Sequence, residues 1–140
     1  MKKLIIIPAR GGSKGLPNKN IKLLKGKPLI NYSIEIARRL TEDEHICVST
    51  ESREIAAVVE SAGLKIPFLR PPELASDTAG SREVIVHALD YYAQQNKKYD
   101  MVVLLQPTSP FRKLADLQAM ITMFESGLDM VVSVSEPHVN

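Results

Sequence analysis

A chain of 140 residues with 44% hydrophobic side chains has the size of one domain and enough apolar surface for one core. Its formal net charge of +2 is too small to imply a nucleic-acid partner, and its one cysteine, Cys47, excludes an intramolecular disulfide framework and fits a reducing compartment. Two lysines and four apolar residues before Pro8 fall far short of a signal peptide or a membrane span, so the expected location is cytoplasmic, with no membrane partner.

The first element is the apolar run Leu4 to Ile7, bounded by charge before it and Pro8 after it, which reads as a buried parallel strand. Directly past its C-terminal end come Arg10, Gly11, Gly12, Ser13, Lys14 and Gly15. Glycines admit positive φ and close approach of backbone N–H groups, while Arg and Lys neutralise phosphate, so this loop is suited to anions. Gly11, Gly12 and Gly15 do not fit G-x-G-x-x-G, and no G-x-x-x-x-G-K-[ST] passes through Lys14, so neither a dinucleotide fingerprint nor a P-loop is present. Charge placement sharpens the reading. Residues 1–34 hold eight cations and no acid, whereas the remainder is net negative by six. A positive field confined to one loop suits a polyphosphate such as a nucleoside triphosphate. No aromatic precedes Tyr32, so a base-stacking platform for single strands is not visible there.

Lys25 to Pro28 forms a turn, and Leu29, Tyr32, Ile36 and Leu40 recur at helical spacing, predicting a helix over Pro28 to Leu40. His45 to Ser49 is a second strand. Ser52 caps a helix whose Ile55, Val58, Val59 and Ala62 face the sheet until Gly63 stops it. Ile66 to Leu69 is predicted as a short third strand, followed by the turn-rich segment Arg70 to Gly80, long enough to suggest a job of its own. Ser81 is expected to cap a helix carrying Val84, Ile85, Ala88, Leu89 and Tyr92. Met101 to Leu105 is an apolar strand beside the first, followed by Gln106-Pro107-Thr108-Ser109-Pro110. Leu114, Leu117, Ile121 and Phe124 mark a helix closed by Gly127, and Met130 to Val134 a last strand. Strands that alternate with helices predict an α/β fold with a parallel sheet covered on both faces. Ligands bind such sheets outside the carboxyl ends of the strands, where Pro8 to Asn20, Arg70 to Gly80 and Gln106 to Pro110 should converge. Cys47 reads as a small buried hydrophobe, and the scattered His45, His87 and His138 lack metal-ligand spacing.

The motifs ARGGSKGLPNKNI, RPPELASDTA and LLQPTSP, in this order and at this spacing, closely resemble the N-terminal part of the acylneuraminate cytidylyltransferases, the CMP-sialic acid synthetases. The resemblance runs from Leu4 to Val134. It implies a three-layer αβα, mostly parallel Rossmann-like sheet of the nucleotide-diphospho-sugar transferase type, and transfer of CMP from CTP to the anomeric hydroxyl of a nine-carbon 2-keto sugar acid with release of pyrophosphate. It also implies that Arg10, Lys14 and Lys19 act on the triphosphate as the catalytic cations, with Gly11, Gly12, Ser13 and Asn20 in the nucleotide site. Arg70, Ala79 and Ser81 would contact cytosine and the sugar side, and Gln106, with Ser81, the sugar acid. Lys14 and Lys19 suit point-charge contacts, Arg10 a bidentate one. Lys22 is fixed by no motif and fits a solvated face, and Asp77 fits a turn residue bound to its own backbone.

The family's Mg²⁺ site depends on an Asp-x-Asp element, and no such element occurs in these 140 residues. Residues 1–140 are therefore read as the nucleotide-binding part of a cytidylyltransferase domain, truncated at the C-terminus, with the main Mg²⁺ ligands beyond Asn140, little turnover by the fragment, and a homodimer at full length. Relatives that activate Kdo place an acidic residue shortly after the strand-end Gln, where this chain has Pro107-Thr108-Ser109. Legionaminic and pseudaminic acids stay open as substrates. A non-catalytic nucleotide-binding or assembly module is the reading from another class, and a nucleic-acid binder a third.

Overall fold

In the computed structural model, which describes residues 2–12, 19–75, 80–107, 114–125 and 131–134, the apolar run at the start forms strand β1 (Lys3–Pro8), with Leu4 to Ile7 completely buried. A two-residue hairpin follows, β2 (Leu23–Leu24) against β3 (Lys27–Pro28), turned by Lys25 and Gly26 at φ 53° and 79°. Positive φ at both central residues matches the right-handed twist of the flanking strands, as in a type I′ turn. Helix α1 (Leu29–Leu40) starts directly after Pro28 and buries Ile30, Ile34 and Ala37. Strand β4 (Ile46–Ser49) is buried throughout.

Ser52 caps α2 (Arg53–Ser61), its hydroxyl accepting from the Ile55 N–H at 3.2 Å. Gly63, at φ +88°, takes the chain out of the helix in a conformation that a side chain would strain. Ser52→Ala should remove the cap and cost about 1 kcal/mol, which lowers the melting temperature by about 4 °C in thermal circular dichroism; an unchanged midpoint would show the bond to be without net value.

Two sequence expectations are corrected here. Ile66 to Leu69 is not a strand: the contact with the sheet is a single parallel bridge, Thr50 to Leu69, with the Arg70 N–H on the Thr50 carbonyl at 2.7 Å. Pro67 fixes φ at about −65°, away from the value of a parallel strand, and restricts Ile66 before it, which favours an irregular approach over a continuous ladder. Ser81 does not cap the next helix. Gly80 holds the cap position with no side-chain cap bond, and Ser81 is the first residue of α3 (Ser81–Gln94).

Strand β5 (Met101–Leu105), helix α4 (Leu114–Glu125) and strand β6 (Val131–Val134) complete the described elements. Gly127, expected to close α4, lies outside the described residues. The main sheet has the order β4-β1-β5-β6 with every described pairing parallel. Successive strand residues face opposite sides. Ile5, Ile7, Val48, Val103 and Leu105 join Ile30, Ile34, Ile55, Val59 and Ile121 on the face covered by α1, α2 and α4. Leu4, Ile6, Cys47, Val102 and Leu104 join Val84, Ile85, Ala88 and Tyr92 of α3 on the other. Two apolar layers on one sheet make the three-layer α/β fold expected from the alternation.

Cys47 is wholly buried, and burial pushes its thiol up from 9.0 to about 12. Tyr92, hydrogen-bonded to that thiol, is raised as well, chiefly by burial. Both groups hold their protons more tightly folded than unfolded, so their contribution is intact below pH 9 and is lost as pH rises towards 12. Denaturant unfolding at about pH 8 and about pH 10.5 should show lower stability at the higher value, with a thiol reagent reacting only with the unfolded chain; rapid modification of the native protein would contradict the burial.

Candidate functional site

The chain runs from β1 to β4 on one side and then returns to β5 on the other side of β1. Connections after β1 and β5 therefore diverge, and a crevice opens between them at their carboxyl ends, the switch point of a doubly wound sheet. A cavity of about 280 Å³ lies there, lined among the described residues by Arg10, Lys19, Asn20, Arg70, Ser81 and Gln106, with Pro8 and Leu104 as its floor. The three separated segments thus meet in one place. Ser13, Lys14 and Ala79 lie outside the described residues, and Gly11 and Gly12 are not among the lining residues.

Each side chain has a local reason for its position. Arg10 follows β1 by two residues and is half-buried, its Nη1 donating to the Ala75 carbonyl at 3.3 Å. Asn20, buried in a short 3-10 turn, donates from Nδ2 to the Arg10 carbonyl at 3.1 Å and folds the far end of the loop back onto its start. Lys19 stays exposed at the rim, and Lys22 is exposed outside the cavity. Gly80 and Ser81 bring the N-terminus of α3 to the cavity, with its partial positive charge. Because Ser81 makes no cap bond, its hydroxyl is not committed to that role.

Arg70 is 3% exposed, and its guanidinium is held by protein: Nε donates to Ser49 Oγ at 3.0 Å, Nη2 to the Ser49 carbonyl at 2.6 Å and Nη1 to the Leu74 carbonyl at 3.2 Å. Burial lowers its pKa, the carboxylate of Glu51 works the other way, and the nearby Arg10 lowers it further. A guanidinium presents more donors than these bonds use, so Arg70 retains limited capacity towards a ligand. Its first task is to tie the segment after residue 70 to the end of β4.

Glu51 was given no role from sequence. Its carboxylate accepts the Gly11 N–H, at 2.8 Å to Oε1 and 3.2 Å to Oε2. The Gly11 amide is therefore engaged by protein rather than turned to the cavity, and Gly12 does not use the positive φ that glycine permits. The signal that could have pointed to Glu51 is its place two residues past the end of the strand beside β1. A side chain built at Gly12 would meet nothing within 4 Å. Mg²⁺ prefers oxygen ligands, above all carboxylates. The described lining contains no Asp or Glu, and the described residues contain no cluster of three or more His, Cys, Asp or Glu able to hold a metal. They do not form an Mg²⁺ site.

Guanidinium and ammonium groups at the switch point of a doubly wound α/β domain are suited to phosphorylated ligands. The particular family is set by comparison: the cytidylyltransferase family profile matches residues 4–138, and the chain belongs to that family. The chain is 43% identical over 135 residues to CMP-N,N′-diacetyllegionaminic acid synthase of Legionella pneumophila, covering 96% of this chain and 58% of the relative. It is 44% identical to N-acylneuraminate cytidylyltransferase of Escherichia coli over 88% of this chain and 28% of that one. Against pseudaminic acid cytidylyltransferase of Campylobacter jejuni it is 44% identical over 79% and 47%. The chain thus spans between about a quarter and three-fifths of these relatives. Among solved structures, CMP:2-keto-3-deoxy-manno-octonic acid synthetase complexed with CTP superposes with a TM-score of 0.71 at 23% identity, over 90% of this chain and 48% of that one. At that identity the likeness establishes the shared fold. No helix among the described residues is long and apolar enough to cross a membrane.

Proposed function

We propose that this chain is the nucleotide-handling part of a cytoplasmic enzyme that transfers CMP from CTP to a nine-carbon 2-keto sugar acid, N-acetylneuraminic acid or a relative, and releases pyrophosphate. The observation that carries the reading is the convergence of Arg10, Lys19, Asn20, Arg70, Ser81 and Gln106 on one cavity at the switch point. In the reaction the anomeric hydroxyl oxygen attacks the α-phosphorus. A new P–O bond forms as the bond to the bridging oxygen breaks, the hydroxyl proton passes to solvent water, and pyrophosphate leaves with the electron pair.

Charge on the α-phosphate oxygens and the departing pyrophosphate is what fixed cations stabilise, and Arg10, Lys14 and Lys19 are assigned to it. Asn20 shapes the loop beside the nucleoside. Ala79, Ser81 and the remaining donors of Arg70 read cytosine, whose O2 and N3 accept hydrogen bonds. Gln106, with Ser81, faces the sugar acid. N-Acetylneuraminic, legionaminic and pseudaminic acids are the candidate acceptors, matching the names of the relatives. A second reading, CTP binding without turnover by these 140 residues, is favoured by the lack of a carboxylate in the described lining.

Calorimetry with CTP, UTP, ATP and GTP tests the base preference, and a pyrophosphate-release assay with each acid tests turnover. CTP should bind at least tenfold more tightly than the purine nucleotides. Equal affinities would remove the cytosine assignment and leave a base-blind anion site.

A further inference from the structure

We propose that Glu51 is a positioning residue of the nucleotide site: its carboxylate holds the Gly11 backbone from outside the cavity and so sets where Arg10 presents its guanidinium. The assignment rests on the reading of the cavity as a CTP site. Glu51 follows β4, the neighbour of β1, and is absent from the cavity lining, yet both of its carboxylate oxygens lie within hydrogen-bond distance of the Gly11 amide.

Arg10 is thereby pinned on every side. Its carbonyl accepts from Asn20 Nδ2 at 3.1 Å, its guanidinium donates to the Ala75 carbonyl at 3.3 Å, and the next amide in the chain is bound by Glu51. The charge of Glu51 serves the same arrangement. Arg10 and Arg70 are close enough to repel, and the carboxylate opposes that repulsion at Arg70. The anion that eases the crowding of two guanidinium groups beside one cavity thus belongs to the protein, which leaves Arg10 in place for a polyphosphate. A preorganised cation does not have to be ordered when the ligand arrives, so the effect should be read in affinity.

The physical alternative has the opposite sign. A carboxylate on a loop amide imitates a bound phosphate, and if Glu51 occupied the seat of the ligand, its removal would tighten binding. Titration calorimetry with CTP on the unaltered chain, Glu51→Ala and Glu51→Gln separates the two. Glu51→Ala should weaken CTP about tenfold, and Glu51→Gln, which keeps one accepting oxygen, about threefold. The Gly11 amide proton should lie downfield in the ¹H–¹⁵N spectrum of the unaltered chain, as expected of an amide bound to a carboxylate, and should move upfield in the alanine variant and only partly so in the glutamine variant. Unchanged or tighter CTP binding by a folded variant overturns the assignment of Glu51, as does a Gly11 resonance that does not move. No CTP binding by the unaltered chain overturns the nucleotide reading itself, and this assignment with it.

Discussion

Arg70→Met should lower the melting temperature by about 10 °C, the largest effect expected of any single substitution in the site. The guanidinium donates to Ser49 Oγ, the Ser49 carbonyl and the Leu74 carbonyl, and is 3% exposed. Hydrogen bonds from a charged donor contribute about 1.5–3 kcal/mol each, and buried acceptors left without a partner carry a desolvation penalty of similar size. Against this stands the cost of burying the charge, which methionine does not incur. The balance is a loss of about 3 kcal/mol, or about 10 °C for a domain of this size. Denaturant unfolding and differential scanning calorimetry would both read it. A shift under about 2 °C would show that water replaces these bonds without penalty and that Arg70 is no brace.

Arg10→Ala is the second large effect, and it should appear in binding. Arg10 is half-buried at the cavity whereas Arg70 is 3% exposed, so its loss should disturb the fold less than the loss of Arg70. A charge-assisted contact to phosphate contributes about 1.5–3 kcal/mol, which predicts CTP affinity weaker by about 10- to 100-fold. Arg10→Lys should recover part of this, since a point charge replaces a planar fork. Lys22→Ala is the control: an exposed lysine outside the cavity should change affinity less than about threefold, the usual scale of an exposed charge. Equal effects at Arg10 and Lys22 would mean that a general positive field, rather than a built site, attracts the nucleotide.

Much of this architecture could be read from the residues because it rests on signals that are local in the chain. Leu4 to Ile7 and Met101 to Leu105 are uninterrupted apolar runs, and both became buried, paired strands. Ser52 and Gly63 mark the ends of α2 by side-chain and backbone preference alone. Ile66 to Leu69 misled because apolar content outweighed Pro67, whose fixed φ departs from that of a parallel strand. The β2–β3 hairpin has two-residue strands, too short for any period, although Lys25-Gly26 was legible as a turn. Ser81 was expected as a cap from its residue type, but Gly80 takes that position one residue earlier. In the site, the segments after Pro8 and after Leu105 were found by their place after strands, whereas Arg70 to Gly80 was marked by its turn-rich composition. The bond from Gly11 to Glu51 spans 40 residues, and the bonds of Arg70 to Ser49 span 21, so no local pattern announces either. What sequence showed as a ligand-reading arginine is first a structural tie.

Strand β1 is laddered along both edges, to β4 and to β5, and the loop that carries Arg10 leaves directly from its end. Its amides should exchange with deuterium only when the whole domain opens, so the backbone that launches Arg10 towards the cavity is among the last parts of the chain to move. A cation set on so stiff a base keeps its place between turnovers, and the ordering cost it would otherwise add to ligand capture is met once, when the chain folds.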